Sequence, residues 1–141
     1  MSDTTYEIAV KYVKRGMFSE RCAKVGWAAA REYSVQCDGK ELPKWEDASE
    51  WDRKEAIHAA EFWMKNYQNK DVPDSALHDY WVNHQIHNGW EYSVIDDPEN
   101  KKSSRLKPFI MLDEQVVMMT RIFRVVVETC NFYAGHHRNF Q

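Results

Sequence analysis

Residues 75–92 read SALHDYWVNHQIHNGWEY, and this stretch decides the fold. Asp74 or Ser75 can cap a helix running from Ala76 to about Asn88, because a short polar side chain satisfies an orphan N–H of the first turn. Asn88-Gly89 closes that helix, since glycine takes the left-handed conformation beyond a helix end without a Cβ penalty. The following WEYSVI is aromatic and β-branched, which favours a short strand, and on a strand Trp90 and Tyr92 share one face. The stretch also carries His78, His84 and His87. His84 and His87 are three residues apart and can face one side of the helix, whereas His78 lies well over two turns from His87. No HExxH spacing is present, so these histidines make no recognised ligand set and no metal is expected.

Outward from this stretch the chain reads as further helices. Thr5 to about Val13 forms a short helix that stops near Gly16. Ser19 then caps a second helix, whose Phe18, Cys22, Val25, Ala29 and Tyr33 recur at spacings of three and four. DGKELP (38–43) is turn-rich. Ser49 and Asp52 have capping-box spacing at the start of a strong helix to Asn66, and Ala56, Ile57, Ala60, Phe62, Trp63 and Met64 give it a broad apolar face. QNKDVPD breaks that helix. After the strand, DDPENKKSSRLK (96–107) is a polar loop, PFIML is extended, and Asp113 caps a last helix, EQVVMMTRIFRVVVETC. The expectation is a mainly α, single compact domain over residues 18–130 with a small antiparallel β element near Trp90–Ile95. Residues 1–17 form a short helical extension and residues 131–141 an aperiodic tail.

Bulk properties narrow the functional classes. A chain of 141 residues suits one domain. Its 43% hydrophobic and 29% charged residues are ordinary for a folded globular protein. The net charge of −3 argues against a nucleic-acid polymer as partner. No apolar run reaches the length of a membrane span, and MSDTTYEIAVKYVK lacks the layout of a secretory signal. Cys22, Cys37 and Cys130 are odd in number and dispersed, which fits a reducing cytoplasm. The serines lack a GxSxG setting and the five glycines are isolated, so neither a nucleophile nor a phosphate loop is legible. No catalytic residue and no cofactor is expected.

What remains is aromatic and basic. Trp45, Trp51, Trp63, Trp81, Trp90 and Tyr92 can stack on a planar ligand, and Arg53, Lys101, Lys102, Arg105 or Lys107 can meet phosphate. Trp63 and Trp81 sit at helical spacing and read first as core. Trp90 and Tyr92 read equally as core or as the wall of a pocket. Lys101–Lys107 reads first as a solvated loop.

The order of these anchors resembles the RyR domain, the repeat first seen in ryanodine receptors, which also occurs as stand-alone proteins in bacteria and bacteriophages. Leu77, His78 and Trp81 match its L-H-x-x-W. Gly89, Trp90 and Tyr92 match its G-W-x-Y-G, with Ser93 at the final glycine. Pro108 and Leu112 match a later Pro-Tyr and Leu, with Phe109 at the tyrosine. Upstream, Trp45, Glu46, Ala48, Glu50, Trp51 and Arg53 are similar to a W-E-x-A-P-E-W-x-R run, with Ser49 at the proline. Ser103-Ser104 stands where the family has His-Pro, and Met119-Thr120 where it has Lys-Asp. The resemblance spans Phe18 to Val127.

That resemblance implies an α-rich, non-catalytic module. In the large channels its tandem copies contact adenine nucleotide and carry phosphorylation sites; stand-alone copies have been linked to nucleotide-derived signals in conflict systems. The expected function is binding of a nucleotide-like small molecule in the cytoplasm, the host's if the chain is phage-encoded. Trp45, Trp90 and Tyr92 would offer rings, Arg53 and Lys107 cations, and His78 a polar contact at the pocket mouth, although a lone helical histidine reads first as structural. The rival expectation is a protein–protein or homo-oligomer contact through the last helix. Its Val116, Val117, Met118, Met119, Ile122, Phe123 and Val125–Val127 exceed what one buried face requires.

Overall fold

A helix is stable when its apolar stripe is covered by another, and here two long helices cover each other. The computed structural model describes the backbone of residues 2–37, 41–67, 69 and 71–139, and the side chains of 18–37, 41–67, 69 and 71–134. Four α-helices dominate them: α1 (Ser2–Val35), α2 (Glu50–Lys65), α3 (Ala76–His87) and α4 (Glu114–Asn139). Two short strands, β1 (Glu91–Tyr92) and β2 (Lys102–Ser103), lie between α3 and α4. The fold is mainly α, as the sequence leads one to expect. No helix among the described residues is long and apolar enough to cross a membrane.

α1 does not break at Gly16; it is continuous from Ser2 to Val35. The expected cap, Ser19, is buried inside it. A glycine costs a helix interior only about 1 kcal/mol relative to alanine, and that local cost does not terminate a helix with a packed face. The face is also rotated from the expected one, for Val25 is 50% exposed. Ser19, Cys22, Ala23, Ala30 and Ser34 point inward instead, with Gly26 among them. All are small, which lets α4 approach closely. A Cβ on Gly26 would lie 2.7 Å from Cδ2 of Phe123. Gly26 meets Phe123 while Cys22 meets Cys130, so α1 and α4 run antiparallel. α4 itself continues to Asn139, through residues expected to be an aperiodic tail.

α2 completes a three-helix core. Ser49 caps it as its spacing predicts, its hydroxyl accepting the Asp52 N–H at 3.0 Å. Ala56, Ala60 and Trp63 are buried against Cys22, Ala23 and Val127. Trp63 is 0% exposed and the largest of the fully buried side chains, clustered with the small Cys22 and Ala23 of α1. The guanidinium of Arg124 lies 4.2 Å over its ring. Arg124 also donates to Asp74 at 2.9 Å and Glu128 at 3.0 Å, and Arg121 donates to Asp74 at 3.1 Å. Asp74 thus ties the start of α3 to the middle of α4.

The β element departs from expectation. β1 and β2 pair in parallel, Glu91 opposite Lys102 and Tyr92 opposite Ser103, where an antiparallel pair was expected. The cause lies in the connecting residues 93–101. They make a 3-10 turn at Pro98–Asn100 and then a left-handed residue, Lys101, with φ 55°. The chain thereby folds back on itself before β2 starts. An isolated antiparallel bridge, Asp97 to Lys102, records that reversal. The observed strand β1 is also shorter than the expected WEYSVI: Val94 and Ile95 are 80% and 77% exposed.

Candidate functional site

The end of α3 is built as its sequence requires. Gly89 has φ +86°; its N–H donates to Ile86 O at 3.1 Å, and the Trp90 N–H to Gln85 O at 3.0 Å. These are the paired bonds of a Schellman cap. Lys101 Nζ reaches a further terminal carbonyl, Asn88 O, at 3.0 Å. The cap leads through Trp90, half-buried, into β1, where Tyr92 is 51% exposed.

His78 and Lys107 are brought together, through the lysine backbone. His78 Nε2 lies 2.7 Å from Lys107 O. A carbonyl only accepts, so this ring nitrogen carries the proton and donates. The ring also packs beside Trp81 and Phe109, at 5.8 and 6.1 Å between centroids. His78 is a structural tie between α3 and the Lys107–Phe109 segment.

Trp45 belongs elsewhere. It sits in a 3-10 turn, Trp45–Asp47, and meets Trp27 edge-to-face at 5.8 Å. Trp27 Nε1 donates to Pro43 O at 2.8 Å, and the buried Ser34 hydroxyl accepts the Leu42 N–H at 3.0 Å. The loop before α2 is therefore laid over the end of α1, with Trp45 packed on the core. Arg53 is half-buried on α2, and its guanidinium has no hydrogen-bond or ion-pair partner among the described residues. The six expected contacts do not form one pocket.

A different cluster assembles between α2 and β2. Arg105 lies over the Trp81 ring, its guanidinium carbon 5.1 Å from the centroid. Ser103 is buried and accepts the Arg105 N–H at 3.2 Å, which turns the chain so that Arg105 follows β2. Glu55 of α2 faces the same arginine. Burial pushes its carboxyl above the ordinary carboxylate range, and Asp52 adds to that; Arg105, the Trp51 indole and His58 pull it down. Trp51 is 67% exposed beside it. Trp51, Glu55 and His58 recur at i, i+4 and i+7 on α2, one face of the helix. Arg53, two residues from Trp51 and from Glu55, points away from that face. The helical spacing was legible in the sequence; the approach of an arginine fifty positions later was not.

Burial pushes the Cys22 thiol up to about 12, reinforced by Cys130, so it is un-ionised and unreactive near neutrality. Among the described residues no three His, Cys, Asp or Glu side chains converge as metal ligands. Among the described residues, clefts open to solvent include two beside α4. One of about 300 Å³ lies between Tyr67 and the Val125, Phe132 and Tyr133 side of α4. The other, about 650 Å³, runs between the start of α3, the Pro108–Leu112 segment and α4. None of the six expected site residues lines either cleft. No protein-family model and no curated protein matches the chain.

Proposed function

We propose that the chain is a non-catalytic binding module of the RyR type, taking a nucleotide-derived ligand on the Trp51–Trp81–Arg105 surface. One observation carries this reading: Arg105 rests on an aromatic face with no carboxylate within ion-pair distance among the described residues. A planar guanidinium so placed is pre-oriented for bidentate contact with an anion such as phosphate. The exposed Trp51 offers a stacking surface for a base, and Glu55 an acceptor for an exocyclic amine or a sugar hydroxyl. The resemblance in Leu77, His78, Trp81, Gly89 and Trp90 supports the same reading.

The test is thermal shift against adenosine mono-, di- and triphosphate, cyclic nucleotides and ADP-ribose. Ligand at a hundredfold over Kd stabilises by about 2.7 kcal/mol, which for a domain of this size raises Tm by about 5–10 °C. Arg105→Ala and Trp51→Ala each abolish the shift. Absence of any shift across the panel overturns the proposal.

A second reading, self-association through α4, is favoured by exposed apolar side chains at the smaller cleft. Val125, Phe132 and Tyr133 are 60%, 44% and 64% exposed. Light scattering that reports a monomer across the micromolar range removes it.

A further inference from the structure

The larger cleft shares no residue with the Trp81–Arg105 cluster, so its occupancy is a separate question. Its floor is apolar: Pro108, Phe109, Leu112 and Val117. Ile110 stands at its edge, 87% exposed, and Met111 beside it is 64% exposed. Two carboxylates, Asp79 of α3 and Glu114 of α4, line the same groove. Both are exposed, and neither has an ion-pair partner among the described residues. The groove's arginine, Arg121, is already engaged by Asp74. The lining is therefore an apolar trough with two carboxylates, each in the first turn of its helix and without a cationic side-chain partner, on a chain whose net charge is −3.

We infer that this groove docks an extended peptide segment of a partner protein, one carrying lysine or arginine between large apolar residues. The charge complementarity selects the cation: Asp79 and Glu114 are the carboxylates without an ion pair, and a basic side chain above the trough meets them without displacing an existing pair. The apolar floor and Ile110 select the flanking residues, since their burial removes exposed hydrocarbon from water. The shape selects a peptide over a small molecule. A small-molecule site encloses most of its ligand, whereas Pro73, Asp79, Pro108, Ile110, Glu114 and Arg121 are all exposed around this groove. A segment lying along it is covered on one side only, as peptides in grooves are.

The experiment uses the full chain and three fluorescein-labelled peptides in polarisation titrations. One is acetyl-Gly-Leu-Lys-Leu-Arg-Leu-Gly-amide, the second replaces its basic residues with glutamate, and the third replaces its leucines with serine. The first binds, the other two bind at least about tenfold more weakly, and added salt weakens the first. The double variant Asp79→Asn, Glu114→Gln and the single variant Ile110→Ser each lower affinity about tenfold. Both variants alter exposed side chains, and an unchanged Tm confirms that they fold. No binding of the first peptide, or equal binding of all three, overturns the inference. So does competition by free cadaverine at the peptide's own concentration, which assigns a small-cation site. Self-association of the chain that Ile110→Ser dissolves assigns the groove to a second copy and overturns it as well.

Discussion

Glu55 carries a charge that folding disfavours at neutral pH. Its carboxyl is raised chiefly by burial, against the pull of Arg105, Trp51 and His58. A carboxyl whose pKa is higher folded than unfolded holds its proton more tightly in the native state. Its contribution to stability is greatest below the unfolded pKa and declines as pH rises through the folded one. Glu55→Gln keeps the shape and removes that decline. The variant melts a few degrees above the parent near pH 7, by about 1–4 °C, a small change typical of single groups. The difference closes below about pH 4, where the parent's carboxyl is also neutral. Parallel melting curves from pH 3 to 8 read both arms, and a gap that widens toward acid contradicts the sign. If Glu55 also meets the ligand, as proposed, Glu55→Gln changes nucleotide affinity separately from Tm.

At the scale of elements, two glycines do opposite work. Gly26 has an ordinary helical backbone and no room: its added Cβ falls 2.7 Å from Phe123. Gly89 has room, with nothing within 4 Å, and a backbone at φ +86° that L side chains resist. Gly26→Ala gains about 1 kcal/mol of helix propensity but overpacks the α1–α4 contact, which costs about 1–3 kcal/mol. The balance is a loss of up to about 2 kcal/mol, a Tm lower by up to about 6 °C, partly restored by adding Phe123→Leu. Gly89→Ala loses about 1 kcal/mol through strain alone, Gly89→Asn less, and no second-site truncation restores it. Urea titrations of the four variants separate the two mechanisms. The same contrast explains what the sequence discloses. Gly89 announces itself because its cap is local: a polar helix end, then glycine, then a strand-forming run. Ser49 and the Ala56–Ala60–Trp63 face are legible for the same reason. Gly16 and Ser19 mislead because they carry the local signals of an end and a start, and the contact with α4 about a hundred positions later overrides both. The parallel strand pair and the Glu55–Arg105 encounter are hidden for a similar reason, since each depends on where a distant segment returns.

Across the whole molecule the buried area is unevenly shared. The core cluster draws its buried residues from α1, α2 and α4, whereas α3 has none. α3 is held by half-buried Leu77, by the His78–Lys107 bond and by Asp74 through two arginines. Ion pairs of that exposure contribute little each. Regions with few buried apolar contacts open locally at lower free energy than the global core. Residues 76–107 therefore exchange their amide hydrogens through a sub-global opening, while the centres of α1, α2 and α4 exchange only on global unfolding. Native-state hydrogen exchange in increasing urea distinguishes them: the α3–β2 amides show small urea dependence, and those around Cys22, Trp63 and Val127 show the full unfolding slope. This division bears on function because Trp81 and Arg105 lie in the weaker region while Trp51 and Glu55 lie on the stable α2. A ligand that bridges them fastens the one to the other, so it raises protection across residues 76–107 and leaves the already limiting α1 amides to follow global stability. Equal protection gained by every amide would instead place the ligand on the three-helix core and remove the Trp51–Trp81–Arg105 surface from consideration.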